Sequence, residues 1–239
     1  MRKEIPGMMQ CASILFLVLG MLAGGPLWAD NRPAKTKKKS GVSAYQTLTG
    51  EDPETLSNRW DAVYHQSKDY VYGKEPAPFL VESMPLLPPR GRVLDLAMAE
   101  GRNAVFMAKK GYHVVGVDIA EEAIRRARRL ARESKVQIKT VVADLTTYKI
   151  TPDQYDVVLV IEFLDRKLIP GIKAGLKKGG VVVFENHTMG NLKYNKTEQK
   201  EWLLEEGELR KLFEDFHILK YREVDDGKTV MASIVAKKP

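Results

Sequence analysis

The sequence predicts an α/β fold: a doubly wound, seven-stranded sheet that is mostly parallel and carries an antiparallel C-terminal edge strand. Two observations support this prediction. Strand and helix patterns alternate from Arg92 onward, and the strand segments are nearly continuous apolar runs, as in parallel sheets that are covered on both faces. The last two strand patterns flank Asp226-Gly227, a dipeptide typical of a tight hairpin turn, which makes the final pair antiparallel.

The elements are predicted in the following order. A helical region from Thr55 to Leu87 is broken by prolines. The predicted strands are Arg92–Leu96, His113–Val117, Val136–Val142, Asp156–Ile161, Val181–Glu185, His217–Val224 and Thr229–Ala236. The predicted helices are Asn103–Lys110, Glu121–Glu133, Lys167–Lys177 and Glu208–Glu214. Gly179 is a typical stop for the third of these helices. The arrangement is Rossmann-like.

Acidic residues mark the edge of the sheet where a ligand is expected. In open sheets of this kind, ligands bind beyond the carboxyl ends of the strands. Asp95, Asp118, Asp144 and Glu162 all fall at or near such ends. A charged residue inside an apolar strand, as Asp95 is, usually has a purpose, and ligand contact is the prediction; a cap of the following turn is the alternative.

The turn after the first strand favours one ligand class. A dinucleotide site needs Gly-x-Gly-x-x-Gly, but this loop has a single glycine, Gly101. Asp95 and Glu100 would repel a pyrophosphate and attract a sulfonium and an α-amino group. The loop therefore favours a cationic nucleotide-like ligand, with Asp118, seventeen residues past the glycine, placed for ribose hydroxyls.

Several short motifs occur in a fixed order along residues 58–237: Trp60, Tyr70-Val71-Tyr72-Gly73-Lys74-Glu75-Pro76, Leu94-Asp95-Leu96, Glu100-Gly101-Arg102-Asn103-Ala104, Phe163-Leu164-Asp165-Arg166 and Glu206-Gly207-Glu208-Leu209. The segment from Val93 to Asp118 resembles the first two motifs of class I S-adenosylmethionine-dependent methyltransferases. The whole set resembles the small-molecule branch that includes tellurite-resistance methyltransferases.

The resemblance implies S-adenosylmethionine as cofactor and a role for each matching residue. Around the methionine part it places Asp95 and the loop positions Ala97, Ala99 and Gly101, with Tyr72 in a lid. Alanines stand where the family's first two loop glycines are expected. An alanine at positive φ is strained, so we expect an effect on cofactor binding or activity.

The resemblance also implies contacts for the nucleoside part. Asp118 would hold the ribose hydroxyls, with Ile119 against the adenine; Asp144 would contact the adenine amino group, with Leu145 beside it. Glu162 would face the methyl donor and the substrate. Two of these acids have ordinary alternatives, since Asp118 can cap the following helix and Asp144 can be a turn residue.

Acid–base candidates are few. Methyl transfer from an activated donor depends mainly on positioning, so the soft nucleophile of a thiol, selenium or tellurium acceptor, once present as a thiolate, selenolate or tellurium oxyanion, would need little help from a base, whereas an oxygen or nitrogen nucleophile could use one. Glu162 and His187 are the weak catalytic candidates, and His187 can equally be structural. The other histidines lack ligand spacing, and the single cysteine, Cys11, lies in the leader, so no metal site is expected.

The function predicted is therefore methyl transfer to a small molecule. The alternative is a non-catalytic exported protein that retains the methyltransferase fold, because export would separate the domain from its cytosolic donor. An NAD-dependent oxidoreductase is disfavoured by the missing glycines and by the terminal hairpin. No protein partner is evident.

The N-terminal region indicates where in the cell the protein is located. Residues 1–29 have the plan of a signal peptide, with an apolar run from Ala12 to Gly25 and a cleavage site after Ala29, and export is the expectation. Five basic residues between 32 and 39 favour the alternative of an uncleaved membrane anchor with the domain facing the cytoplasm. Residues 30–54 read as a disordered basic linker and residues 55–239 as the methyltransferase domain.

The net charge of +7 comes mainly from this region. Residues 1–40 hold seven basic and two acidic side chains, and the remainder holds 31 and 29. The folded part is close to neutral, so nucleic-acid binding is not expected.

Overall fold

The computed structural model describes residues 53–239. The predicted leader and nearly all of the predicted linker therefore lie outside the described residues. Helix α1 begins at Pro53, two residues before the predicted start of the domain. No helix within residues 53–239 has the length and apolar character to cross a membrane.

The seven-stranded α/β sheet is confirmed. Its strands are β1 (Arg92–Leu96), β2 (His113–Asp118), β3 (Lys139–Val142), β4 (Tyr155–Ile161), β5 (Leu176–His187), β6 (His217–Asp225) and β7 (Val230–Lys237). The order across the sheet is β3-β2-β1-β4-β5-β7-β6. The first five strands pair in parallel, and β7 runs antiparallel between β5 and β6. The terminal hairpin thus places β6 at the edge.

Within residues 53–239, six α-helices flank the sheet: α1 (Pro53–Gln66), α2 (Pro78–Ser83), α3 (Arg102–Lys109), α4 (Glu121–Glu133), α5 (Ile169–Gly175) and α6 (Glu208–Leu212). Short 3₁₀ turns cover Met84–Leu86, Arg166–Leu168, Met189–Lys193 and Lys200–Trp202. The proline-broken region predicted for 55–87 thus becomes α1, α2 and one turn.

The helix predicted over Lys167–Lys177 is wrong at its C-terminal end. Leu176 already pairs with Tyr155 as the first residue of β5, and the register then shifts so that Val181 faces Val157. The extra residues of β5 form a bulge, and Lys177 Nζ lies 2.9 Å from both carboxylate oxygens of Asp156. Gly179 has a φ of +76°, which suits this bulge rather than a helix stop.

Both faces of the sheet are buried, which explains the continuous apolar strands. On β4, Val158 and Val160 face one core cluster, while Val157, Leu159 and Ile161 face the other. Helices α5 and α6 contribute to the first cluster, and α2 to α4 contribute to the second. A strand between two cores needs apolar residues at every position.

The register aligns the strand ends that carry the predicted site. Leu96 at the end of β1 lies opposite Val117 of β2 and Val160 of β4. Because these strands are parallel, the segments that follow them all leave at the same edge of the sheet.

Candidate functional site

A cleft of about 790 Å³, counting its open mouth, lies at the carboxyl edge of the sheet, between the strand ends and helix α1. Eight of the predicted cofactor-binding residues line it: Tyr72, Ala97, Ala99, Asp118, Ile119, Asp144, Leu145 and Glu162. The rest of its wall comes from Leu56, Trp60, Tyr64, Met98, Arg102, Asn103, Ile161 and Phe163. Asp95, Gly101 and His187 are not part of the wall.

The loop after β1 has a strained backbone. Ala97 and Ala99 have φ values of +53° and +50°, in the left-handed region that L-residues rarely adopt. Glu162, at the end of β4, has a φ of +58°. Three such residues on the wall of one cleft point to function, since strain of this kind clusters at ligand sites.

Gly101 shapes the loop from behind rather than from inside the cleft. Its φ is +81°, and it is the residue before α3. A Cβ at this position would stand 2.8 Å from the Cβ of Ala127 on α4. The glycine therefore permits both the backbone turn and the close approach of α4 to the loop.

Asp118 holds the strained loop in place and also faces the cleft. Its Oδ2 accepts the N–H of Ala99 at 2.8 Å, and its Oδ1 accepts the N–H of Ala120 at 2.9 Å, just before α4. Burial raises the pKa of Asp118 to about 6, against the opposing effect of these N–H donors. Each oxygen retains acceptor capacity for a further donor from a ligand.

Asp95 lies beneath the loop and is only 1% exposed. Its Oδ2 has no hydrogen-bond partner among residues 53–239. Burial raises the pKa of Asp95 to about 7; nearby Arg102 opposes the increase and Asp118 adds to it. A buried carboxylate oxygen without a donor is rare and needs an explanation.

Asp144 and its neighbours form the wall at the end of β3. Asp144 Oδ1 accepts the N–H of Thr146 at 2.9 Å, and its Oδ2 accepts the hydroxyl of the same residue at 2.7 Å. This is the turn role that the sequence left open, and the side chain still lines the cleft beside Leu145.

Glu162 is paired across the cleft. Arg102 Nη2 donates to Glu162 Oε1 at 2.7 Å, and Arg102 Nη1 donates to the carbonyl of Tyr72 at 3.3 Å. The guanidinium also lies 5.7 Å from the centre of the Tyr72 ring. Arg102 thus joins the predicted lid to the end of β4.

Glu100 does not face the ligand space, so its part in the argument for a cationic ligand was wrong. It is 2% exposed, and its Oε2 accepts the N–H of Val71 at 2.6 Å. Its Oε1 pairs with Arg126 Nη1 at 2.9 Å. Arg126 is only 6% exposed and also donates to the carbonyls of Ser67 and Asp69. This ion pair fixes the base of the lid.

The contribution of α1 was missed by the sequence analysis. Leu56, Trp60 and Tyr64 recur every fourth residue and therefore lie on one face of α1, which forms a wall of the cleft. Ser57 Oγ donates to the carbonyl of Ile119 at 3.0 Å, which ties this helix to the end of β2. The four-residue spacing was the available signal.

His187 ends β5 and is part of a polar cluster outside the cleft wall. Its Nδ1 lies 2.5 Å from Glu198 Oε1, and Asn191 Nδ2 donates to Glu198 Oε2 at 2.6 Å. Burial lowers the pKa of His187, but Glu198, Glu162 and Glu185 together raise it above its usual value.

Residues 93–180 match the family model described as "Methyltransferase domain". Among curated relatives, a probable S-adenosyl-L-methionine-dependent methyltransferase, TehB of Haemophilus influenzae, is 25% identical over 138 residues, 55% of this chain and 48% of the relative. A ubiquinone biosynthesis O-methyltransferase of Idiomarina loihiensis is 33% identical over 99 residues, 39% of this chain and 41% of the relative. The chain thus spans less than half the length of these relatives.

Solved structures share the fold. The crystal structure of TehB from Haemophilus influenzae aligns with a TM-score of 0.59 at 20% identity, over 77% of this chain and 67% of that one. A Burkholderia thailandensis 1,6-didemethyltoxoflavin-N1-methyltransferase, solved with 1,6-didemethyltoxoflavin and S-adenosylhomocysteine bound, aligns with a TM-score of 0.59 at 15% identity, over 90% of this chain and 99% of that one.

Proposed function

From the confirmed likeness to class I S-adenosylmethionine-dependent methyltransferases, and within them to the TehB-like branch, we propose that this chain transfers a methyl group from S-adenosylmethionine to a small molecule. The observation that carries the proposal is the cleft at the carboxyl edge of the sheet, where Asp118, Asp144 and Glu162 line a common wall with the strained loop after β1.

The residues present fit the proposed ligand. Asp118 offers two partly used carboxylate oxygens to ribose hydroxyls, and the apolar side chains of Ile119 and Leu145 line the wall for an adenine ring. Asp95 and Asp118 supply negative charge for a sulfonium and an α-amino group. The unpartnered Oδ2 of Asp95 fits a site completed by a cation that reaches the loop.

The chain's own part in the reaction is positioning. S-adenosylmethionine supplies an activated methyl group when it is bound. The loop from Ala97 to Gly101 and Asp118 orient the donor, while the Arg102–Glu162 pair and Tyr72 close the side next to the end of β4. Holding a nucleophile and a methyl group in line accounts for most of the acceleration that such a reaction needs.

Calorimetric titration of the full chain with S-adenosylmethionine at pH 8 tests the proposal. At this pH Asp95 and Asp118 are largely ionised, since their pKa values are about 7 and 6. We expect binding, and we expect Asp118→Asn to weaken it by about tenfold or more, because a charge-assisted contact with the ribose is lost. The amide keeps one oxygen acceptor, which limits damage to the loop.

Asp215→Asn is the matched control. Asp215 pairs with Lys173 on the surface, remote from the cleft wall, and its change should leave the titration as it is. Equal affinity in the wild type and in Asp118→Asn would reject the site, and no heat with either the donor or S-adenosylhomocysteine would reject the function.

The acceptor belongs to the same proposal. The named relatives include a ubiquinone biosynthesis O-methyltransferase and a didemethyltoxoflavin N-methyltransferase, so a small-molecule acceptor is the class they favour. A thiol, selenium or tellurium acceptor stays a prediction. The described residues provide no observation that favours the non-catalytic alternative.

A further inference from the structure

The end of β5 carries a polar relay with no place in donor binding. Val230 N–H donates to Asn191 Oδ1 at 2.8 Å, Asn191 Nδ2 donates to one oxygen of Glu198, and the other oxygen of Glu198 lies 2.5 Å from His187 Nδ1. Each member orients the next. The relay therefore fixes the tautomer and the direction of the imidazole, since Nδ1 carries the proton that Glu198 accepts.

The pairing of β5 with β4 places His187 on the same face of the sheet as Ile161, a residue of the cleft wall. Glu185 lies opposite Ile161, and Ile161 lines the cleft. His187 is two residues beyond Glu185, so its side chain leaves from the same face, about 7 Å further along the strand. His187 therefore lies one strand away from Ile161 on the same face of the sheet, just beyond the residues that line the cleft.

The backbone around His187 is held from both sides. His187 pairs with Met231 of β7, and its carbonyl accepts the N–H of Leu204 at 2.9 Å. Three carboxylates act on the imidazole: Glu198 from the segment after β5, Glu185 from β5 itself and Glu162 from the end of β4. The second nitrogen, Nε2, has no hydrogen bond within the described residues. A histidine that acts as a general base needs one ring nitrogen held by an orienting partner and the other free to accept a proton from the substrate.

We propose that His187, oriented by Glu198, is the general base for a protic methyl acceptor, one whose nucleophilic atom carries a proton, such as a thiol or a hydroxyl group. The proton passes from the acceptor to His187 Nε2. The freed electron pair forms the new bond to the methyl carbon as the carbon–sulfur bond breaks and leaves its pair on sulfur, and the proton then goes to solvent. The inference rests on the proposed methyl transfer.

The first test needs no acceptor. The side-chain resonances of the four histidines are titrated by NMR in the full chain, with His187 assigned from His187→Gln, in saturating S-adenosylmethionine and then in S-adenosylhomocysteine. The two ligands differ by a methyl group and one positive charge. We expect a lower pKa for His187 with the sulfonium than with the thioether, because like charges at short range disfavour protonation. The exposed His217 serves as the internal control.

The two proposals fail in different ways in this experiment. If neither ligand binds, the proposed function fails. If both bind and His187 titrates identically in the two complexes, the imidazole is remote from the transferred methyl group and the inference is overturned. Glu198→Gln should lower the pKa of His187, since the paired carboxylate raises it.

The second test uses 2-mercaptoethanol as acceptor probe and His217→Gln as the control variant. For His187→Gln we expect kcat at pH 7 to fall by about tenfold or more, with an unchanged KM for the donor. The loss should shrink as the pH rises through the pKa of the thiol, where solvent already supplies the thiolate. A loss that is constant across pH indicates a structural role and contradicts the inference. If this thiol is not methylated, the titration decides alone.

Discussion

The Asp95→Asn variant should gain stability relative to the wild type when the pH is raised from 5 to 8. We expect this gain in the free energy of unfolding although the substitution removes a charge from the proposed donor site. The reason is the burial of Asp95, which is 1% exposed and has an unpartnered Oδ2. Burial raises its pKa from the ordinary 3.8 to about 7, so the folded protein holds a proton that the unfolded chain releases readily.

The sign and size follow from linkage. Below pH 3.8 both states are protonated and Asp95 carries no penalty. As the pH rises towards 7 only the unfolded chain ionises, so the free energy of unfolding falls, and above pH 7 the loss levels off at about 4 kcal/mol. About 2 kcal/mol of this is already lost at pH 5. The stability of Asp95→Asn relative to the wild type should therefore improve by about 2–3 kcal/mol between pH 5 and pH 8.

Urea denaturation of both proteins at the two pH values, without ligand, measures this difference. The buried amide introduces a donor of its own, but that effect is the same at both pH values and cancels in the comparison. Asp118 is also present in both proteins. A relative stability that changes by less than about 0.5 kcal/mol between pH 5 and pH 8 would refute the argument that an ionised Asp95 is buried at a cost.

Three further predictions concern other parts of the chain. Ala97→Gly and Ala99→Gly should each stabilise the protein by about 1 kcal/mol in urea denaturation, because glycine relieves the left-handed strain; destabilisation would show that the methyl contacts outweigh it. Arg126→Ala should lower the free energy of unfolding by about 3–5 kcal/mol, because it leaves the buried carboxylate of Glu100 without its charged partner beneath the lid. A decrease of less than about 1 kcal/mol would count against the ion pair. For the leader we expect export with cleavage after Ala29; N-terminal sequencing of the mature protein that returns Met1 would contradict it.

The fold was predictable because it is encoded locally. Apolar runs bounded by turns gave all seven strands, and the hairpin at Asp226-Gly227 gave the antiparallel pairing of β7. The end of the helix at Lys167–Lys177 was missed because Leu176 enters the sheet through pairing with Tyr155, a contact that sequence periodicity does not contain.

The site was predictable only in part, because some of its residues are placed by contacts between segments that are distant in sequence. Asp118 and Glu162 were found because carboxyl ends of parallel strands share an edge. The role of Glu100 was misread, because its carboxylate forms an ion pair with Arg126, which is 26 residues away in sequence. The partnership of Arg102 with Glu162 likewise depends on how α3 meets the end of β4.

The backbone conformation of Ala97 and Ala99 explains how the loop after β1 keeps its shape. Ala97 and Ala99 are both at positive φ, the conformation in which an alanine is strained. Asp118 stabilises this geometry by accepting the N–H of Ala99. The loop therefore keeps its shape without the two glycines, at a conformational cost.

A crystal structure of the full chain with S-adenosylhomocysteine tests the central claim most directly. We predict density in the cleft, with the ribose hydroxyls on Asp118, the adenine between Ile119 and Leu145 near Asp144, and the sulfur facing Glu162. Ligand density at any other place, or a cleft without ligand density in crystals grown at saturating ligand, would contradict the account.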